Sequence, residues 1–188
     1  MSGTTHQMFA LTIAFWVLTF SPTALGPLLG TLAIVAVMVG ALTPDLDHPS
    51  ASIWRRFLGG NHVGNIFNTF SGGHRHMTHS LLGIAIIAWG TNWLANNIVH
   101  PDYVSQALIL QYAFMIGYIS HPILDTFTDW GVPWLWPLHP HLKIPPGPEE
   151  VRVTTNSFVE TIIVRGGLIV VAMLLLQSHW HILRQLFS

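Results

Sequence analysis

Cysteine is absent from the 188-residue sequence, which excludes disulfide bonds and thiolate metal sites. Any metal ion would have to bind through nitrogen and oxygen atoms. Charged residues are also scarce, at 8% of the chain against 51% hydrophobic residues, and the net charge with neutral histidine is -1. Because such a chain has no basic excess to hold a nucleic-acid backbone, we expect no nucleic-acid partner.

Apolar residues are concentrated in five long stretches, a distribution typical of proteins whose solvent is lipid. These stretches are residues 8–20, 25–42, 80–99, 107–120 and 161–177. Crossing the hydrocarbon core takes about 20 helical residues, with about 17 as a lower bound. The second, third and fifth stretches are long enough, whereas the first and fourth would need tilt, re-entry or flanking residues. The sequence predicts one all-α domain over residues 1–188, a polytopic bundle with about five membrane helices.

The first stretch has an alternative interpretation as a secretory signal. The residues Ala24, Leu25 and Gly26 loosely resemble the cleavage site that follows such a signal. However, neither Lys nor Arg precedes the stretch, although secretory signals begin with a positively charged segment. We therefore favour a first helix that is retained.

Histidine is abundant, with twelve residues against seven Lys and Arg together. If each apolar stretch crosses the bilayer once, ionisable residues from five segments reach the same side. They are His6, Asp45, Asp47, His79, His121 and Glu160. Ionisable groups at a membrane edge are costly unless they are paired or functional, so we expect a polar metal site at this face.

Most of the basic residues fall on the same predicted side. They are Arg55, Arg56, Arg75, Lys143 and Arg152. Only Arg184 falls on the opposite side, and Arg165 lies within the start of the last helix. By the positive-inside rule, the histidine-rich face should be cytoplasmic.

An imidazole and a carboxylate lie four residues apart at His121 and Asp125. On a helix this spacing puts both side chains on one face, about 6 Å apart, where they could share a metal ion. In the alternative, Pro122 occupies the first turn of a helix that begins near His121. The pair would then be a helix cap and a solvated carboxylate.

Two carboxylates and an imidazole end the second apolar stretch, at Asp45, Asp47 and His48. Asp-x-Asp in a turn can direct both carboxylates toward one cation. Turns that end helices also favour Asp for purely local reasons.

Three imidazoles and a guanidinium precede the third stretch, at His74, Arg75, His76 and His79. Neutral imidazole is a common metal ligand, and Arg beside a metal ion can hold a phosphate or another oxyanion. The alternative is an exposed loop without a ligand. Ser80 is predicted to cap the helix that follows.

His6 and Glu160 are weak candidates when each is taken alone. A lone His near a chain start usually has no special role, and a Glu before an apolar helix often only favours the helix dipole. Their importance comes from the predicted topology, which brings both to the polar face. The sequence contains no His-Glu-x-x-His, Gly-x-Ser-x-Gly or phosphate-loop motif, so nucleophilic Ser or Cys chemistry has no support.

Several short motifs together carry a family resemblance that spans nearly the whole chain. They are His6, Leu-Thr-Pro-Asp-Leu-Asp-His-Pro at 42–49, His74-Arg75 with Thr78-His79-Ser80, Gly-Tyr-Ile-Ser-His at 117–121 with Asp125, Thr128, Gly-Val-Pro at 131–133, Leu-Trp-Pro at 135–137, and Glu160. With these motifs the chain resembles the membrane-bound, metal-dependent hydrolases of bacteria, also described as LexA-regulated inner-membrane hydrolases. Two departures are His76, where that family tends to have Gly, and Asp129-Trp130, where it tends to have Thr-Pro.

The resemblance implies a multi-pass protein of a bacterial or archaeal inner membrane that binds divalent metal, most simply zinc and more than one ion. The implied ligands are His6, Asp45, Asp47, His74, His79, His121, Asp125 and Glu160. Asp45 or Asp47 would be the general base, and Arg75 would hold an anionic substrate. The ligand order is also remotely similar to that of zinc-dependent phospholipases C and single-strand-specific zinc nucleases, which suggests phosphoester hydrolysis.

The leading hypothesis is therefore a membrane-bound hydrolase, a phosphoesterase that uses metal-activated water on a lipid or lipid-linked substrate. The alternative is a non-enzymatic metal-binding or metal-transport protein. A carrier should place ionisable groups near the bilayer midplane, whereas here they fall at helix ends on one side. A regulatory protein that senses pH through its histidines is a third possibility without specific support.

Overall fold

The structure is a computed structural model that describes residues 1–20, 25–48, 54, 60–70, 76–138, 140–181 and 184. Its architecture is all-helical, as predicted. The α-helices are α1 (Gly3–Phe20), α2 (Gly26–Leu42), α3 (Gly60–Phe70), α4 (Leu81–Asn97), α5 (Val104–Asp125) and α6 (Arg165–Ser178). A π-helical turn, Val159–Val164, leads directly into α6. The described part of the chain contains isolated β-bridges but no strand.

All five apolar stretches form helices, and the structure adds a sixth. This helix, α3, lies in the long polar segment between the second and third stretches, where no helix was predicted. It is short and amphipathic, and its sequence begins with Gly60. Because Gly and Asn are weak helix formers, propensity alone did not indicate it.

Within the part of the chain that the structure describes, three helical runs are long and apolar enough to cross a membrane by length and composition. They are Gly26–Asp47, Pro101–Asp125 and Val159–Ser178. The third stretch forms α4, whose 17 residues reach the lower bound given above, although α4 is not among these runs. Its last turn ends where the side chains of Asn96 and Asn97 hydrogen-bond back to helix carbonyls. The fourth stretch is extended by its flanks to Pro101–Asp125 and is long enough to cross a membrane.

The closest helix packing joins α2 and α5 through glycine. A Cβ at Gly40 would collide with the Phe114 carbonyl, and a Cβ at Gly117 would collide with the Val37 carbonyl. Small residues allow this close approach of backbones, which is how membrane helices associate when lipid gives no hydrophobic driving force. The adjoining buried core consists of Ala10, Val37, Ala41 and Ala113.

The polar ends of these helices contain two 3-10 turns and the last turns of α5, which continues without a break to Asp125. The turns are Pro44–Asp47, directly after α2, and Met77–His79, directly before α4. Ser80 caps α4 as predicted, because its hydroxyl accepts a hydrogen bond from the Gly83 amide. The alternative of a helix that begins near His121 is wrong, since α5 continues through Pro122. Proline removes one backbone hydrogen bond there, which is tolerated close to the helix end.

Candidate metal centre

The polar cluster draws its side chains from four separate segments. His6 comes from α1, Asp45 and Asp47 from the turn after α2, His79 from the turn before α4, and His121 with Asp125 from the last turns of α5. All of these side chains are fully buried except that of Asp45, which is 29% exposed. The structure thus brings together six of the residues that the sequence placed at one face.

One half of the cluster consists of His6, His121 and Asp125. The two imidazole rings stack with their centroids 3.6 Å apart and an interplanar angle of 6°. The Nε2 atom of His6 lies 3.2 Å from Oδ1 of Asp125, and the Nε2 atom of His121 lies 3.6 Å from Oδ2. The spacing of His121 and Asp125 on one helix face is therefore as expected.

The other half consists of Asp45, His79 and His121. Oδ1 of Asp45 lies 3.4 Å from Nε2 of His121 and 3.9 Å from Nε2 of His79. The two imidazole rings meet edge to face at 5.0 Å. His121 therefore belongs to both halves.

The tautomer of His121 follows from a backbone contact. Its Nδ1 lies 2.6 Å from the Ala41 carbonyl oxygen, which can only accept, so Nδ1 carries a proton. The Nε2 atom faces carboxylate oxygens of Asp45 and Asp125 at 3.4 and 3.6 Å. A hydrogen bond from the second ring nitrogen to a backbone carbonyl is a recurring way to orient histidine ligands.

The tautomer of His79 follows from Thr78 and Asp47. The Thr78 hydroxyl donates to Oδ2 of Asp47 at 2.5 Å and lies 2.9 Å from Nδ1 of His79. Because its single proton is directed to the carboxylate, the hydroxyl accepts from the His79 Nδ1–H. Burial also lowers the pKa of the His79 imidazole, which favours the neutral form. Nε2 of His79 is left as the nitrogen that faces Asp45.

The distances in the cluster fit a shared cation. Two ligand atoms that are each about 2.1 Å from a tetrahedral ion lie about 3.4 Å apart. Among the described residues, the donor atoms of each half lie within 4.8 Å of one another. Nε2 of His121 and Nε2 of His6 are fully buried and face carboxylate oxygens at 3.2 to 3.6 Å. Buried imidazoles beside carboxylates are donors that metal sites commonly use.

Asp125 connects the two halves of the cluster. Its Oδ1 faces His6, and its Oδ2 faces both His121 and His79. The Met1 amino group also donates to Oδ1 at 2.5 Å. A carboxylate whose two oxygens face different donors can bridge two cations as well as bind one.

Glu160 lies in a different network. Its carboxylate accepts hydrogen bonds from the amides of Ser2 and Asn156 and from the hydroxyls of Ser2 and Thr5, at 2.5 to 2.8 Å. The Arg165 guanidinium lies 3.8 Å away and donates to the same two hydroxyls. This network fastens the start of α1 to the start of the last helix, one residue from His6. In the structure, Glu160 positions the α1 terminus instead of adding a donor to either half of the cluster.

Two predicted site residues, His74 and Arg75, lie outside the described residues. The neighbouring His76 is described, and its ring lies 6.4 Å from that of His141.

The sequence did not indicate a role for Tyr118, whose hydroxyl donates to the Thr78 carbonyl at 2.7 Å and so fixes the turn that carries His79. Tyr118 and Thr78 both occur in the motifs that carry the family resemblance, and those motifs could have indicated their role.

The family of the chain follows from comparison with known sequences. A family model described as the YdjM inner membrane protein matches residues 1–184. The chain belongs to this family. Membership confirms the expected bacterial inner-membrane family and the membrane localisation. The expected hydrolase activity remains a prediction.

Individual relatives agree with this assignment. Protein YvsG of Bacillus subtilis is 30% identical over 170 residues, which cover 88% of this chain and 89% of YvsG. The inner membrane proteins YdjM of Escherichia coli and Shigella flexneri are each 30% identical over 114 residues, which cover 60% of this chain and 53% of each relative. The match thus spans about half the length of the YdjM proteins. No solved structure matches the chain.

Proposed function

We propose that this member of the YdjM family is a metal-dependent hydrolase that cleaves a phosphoester of a lipid or lipid-linked molecule. The supporting observation is the position of His121, whose Nε2 faces oxygens of two carboxylates at 3.4 and 3.6 Å. Two carboxylates that approach the same buried nitrogen repel each other unless a positive charge lies between them. A metal ion would supply that charge, and these separations suit two ligands of one ion.

The donor set favours zinc over magnesium or calcium. Three imidazoles together with carboxylates are typical zinc ligands, whereas magnesium and calcium prefer oxygen ligands alone. His6, His79, His121, Asp45 and Asp125 would hold the metal. More than one ion is proposed because Asp125 presents its two oxygens to different donors.

The two carboxylates after α2 are proposed to have different roles. When bound, the ion would supply Lewis acidity and lower the pKa of a coordinated water molecule. Asp45 is the general base, because it is the member of the cluster whose side chain reaches solvent. Asp47 is a positioning residue, since it is buried and already accepts from Thr78 beside His79.

The substrate class is proposed from the position of the cluster and its neighbours in sequence. The cluster lies at the ends of helices long enough to cross a bilayer, where lipid headgroups are found. Arg75, four residues before His79, is proposed to hold the phosphate by charge-assisted hydrogen bonds. The distribution of Lys and Arg supports a cytoplasmic location of this face.

Metal content is the first test. The protein would be purified in mild detergent and its bound metals measured for wild type, His121→Ala and Asp125→Asn. Matched controls are His100→Ala and Asp102→Asn, because those side chains are 69% and 79% exposed and lie away from the cluster. We expect the controls to retain metal and both cluster variants to lose it. Equal metal content in all five proteins would contradict the site.

Hydrolysis is the second test. Metal-loaded protein would be assayed against phosphomonoesters, phosphodiesters and phospholipids, with chelator and with metal added back. We expect Asp45→Asn to lower kcat about 100-fold or more, because a general base contributes that much. Bound metal without turnover on any substrate would contradict the hydrolase proposal and favour a metal-binding or transport protein.

A further inference from the structure

A large apolar cavity lies between α1, α2, α5 and α6. Its volume is about 550 Å³, and nearly all of its lining side chains are aliphatic or aromatic. The hydroxyl of Thr12, one of the few polar groups in the lining, is already bonded to the Met8 carbonyl at 2.8 Å. The cavity therefore suits an apolar ligand and offers almost nothing to a polar one.

The cavity has a buried floor and an exposed rim. Val37 and Ala113 on the floor are 4% and 9% exposed. Ile34, Tyr112 and Met173, from three different helices, are all more than a third exposed at the rim. Because these helices are membrane spans or pack against them, the rim faces the hydrocarbon of the bilayer. Because the rim is open to lipid, a space of this volume has room for an apolar chain that enters from the bilayer.

The cavity begins beside the polar cluster and runs away from it. Met8 follows His6 by two residues, and Ile116 precedes His121 by five, which places both about 3 to 8 Å along the helix axes from the cluster. On α1 the lining continues to Leu18, a length of about 15 Å at 1.5 Å per residue. One leaflet is half of a hydrocarbon core of about 30 Å. The cavity is thus about as deep as one leaflet.

We propose that this cavity binds one acyl chain of a bilayer lipid, aligned along α1 with its headgroup at the polar cluster. The inference rests on the proposed function only in assigning the headgroup to the metal centre. Moving a chain from lipid into an apolar cavity gains little hydrophobic energy, since both surroundings are apolar. Selection therefore comes from shape and from the headgroup, which fixes the orientation of the chain.

Photolabelling in vesicles of phosphatidylglycerol and phosphatidylethanolamine tests the proposal. Two phosphatidylglycerol probes carry a diazirine in one acyl chain, either next to the glycerol or at the chain end. We expect the first to label residues near Met8 and Ile116, and the second to label residues near Leu18 and Leu176. The reverse order, or equal labelling of the cavity and the outer face of α4, would overturn the inference.

Filling the cavity provides the matched comparison. Ala33→Phe combined with Ala172→Phe places two rings in the lining, whereas Ala85→Phe makes the same change on exposed α4. We expect cavity labelling to fall about tenfold in the double variant, equivalent to 1.4 kcal/mol, and to stay unchanged in Ala85→Phe. Unchanged labelling in a double variant that still elutes as a single species would overturn the inference.

Metal content separates this inference from the proposed function. Ordered labelling in protein that binds no metal would refute the metal centre and leave the chain-binding cavity supported. Normal metal content with unordered labelling would refute the cavity and leave the metal centre supported.

Discussion

Two apolar helices, α5 and α6, differ sharply in how many of their residues are buried. Between Ala113 and Asp125, α5 buries nine residues, three of which are polar or charged. In contrast, α6 buries none, and apolar residues such as Ile169 and Met173 are about half exposed. In this chain, burial follows backbone contact and polar chemistry, because apolar side chains gain little by leaving lipid.

The contrast extends to how each helix is attached. Helix α5 is fixed by glycine contacts with α2 and by the hydrogen bonds of Tyr118 and His121. The last helix is attached at its start, where Glu160 and Arg165 reach the α1 terminus. Changes in α5 should therefore affect the fold, and changes in α6 that leave Glu160 and Arg165 intact should not.

The strongest test of this contrast replaces one glycine in each helix by leucine. Gly117→Leu forces a side chain into the α2 backbone, so we expect a loss of about 3 kcal/mol or more. Gly166→Leu has open space around its Cβ and should leave stability unchanged or slightly raised. Thermal unfolding and size-exclusion profiles in detergent measure both. An equal loss of stability in the two variants would contradict the difference between α5 and α6.

The attachment of the π-helical turn that leads into α6 is tested by Glu160→Gln. The amide keeps the size of the side chain but loses the charge and one acceptor, so His6 should be held less well. We expect metal affinity to fall about tenfold, the lower end for residues that support ligands. Glu149→Gln, an exposed change in a nearby turn, is the control and should have no effect. Titration of metal-depleted protein gives the affinities, and an unchanged value for Glu160→Gln would refute its positioning role.

A smaller effect is expected when one hydrogen bond of α5 is removed. Tyr118→Phe leaves the buried Thr78 carbonyl without its donor, which should cost about 1 to 2 kcal/mol. Tyr112→Phe on the same helix is the control, because Tyr112 is 63% exposed. Thermal unfolding should separate the two variants. If Tyr112→Phe were the more damaging change, the assignment of the buried face would be wrong.

The smallest effect concerns a helix cap. Ser80→Ala removes the acceptor for the Gly83 amide and should lower stability by about 1 kcal/mol. Ser178→Ala, at the exposed end of α6, should change stability by less than about 0.5 kcal/mol. The same unfolding measurement applies. If Ser178→Ala lost as much stability as Ser80→Ala, the hydrogen bond from the Gly83 amide to Ser80 would have no special role as a helix cap.

Hydrophobic runs were sufficient to predict the five apolar helices, but neither their exact extent nor the amphipathic α3. Five apolar stretches became α1, α2, α4, α5 and α6 because runs of this length have no other stable form in lipid. The reach of α5 to Asp125 was not predictable, since Pro122 normally disfavours a helix interior. Its continuation depends on the contacts that α5 makes with α2, which only the folded chain provides.

The candidate site was predictable as a group but not in its internal roles. Topology alone brought His6, Asp45, His79 and His121 to one face, and the structure places them within one cluster. The separate position of Glu160 could not be foreseen, because its partners Ser2 and Thr5 lie at the opposite end of the sequence. Likewise, the Asp-x-Asp spacing does not reveal that a 3-10 turn directs Asp45 and Asp47 to different sides of His79.

The origin of the cluster in four separate segments has a consequence for biosynthesis. His6 leaves the ribosome first, and the last donor, Asp125, follows only after α5 has been made. At about 5–20 residues per second, the early histidine waits several seconds for its partners. No nascent fragment that ends before α5 can present the full donor set. Any ion that the cluster holds is therefore acquired only after α5 has been made, and its capture marks a chain whose segments from α1 to α5 have come together.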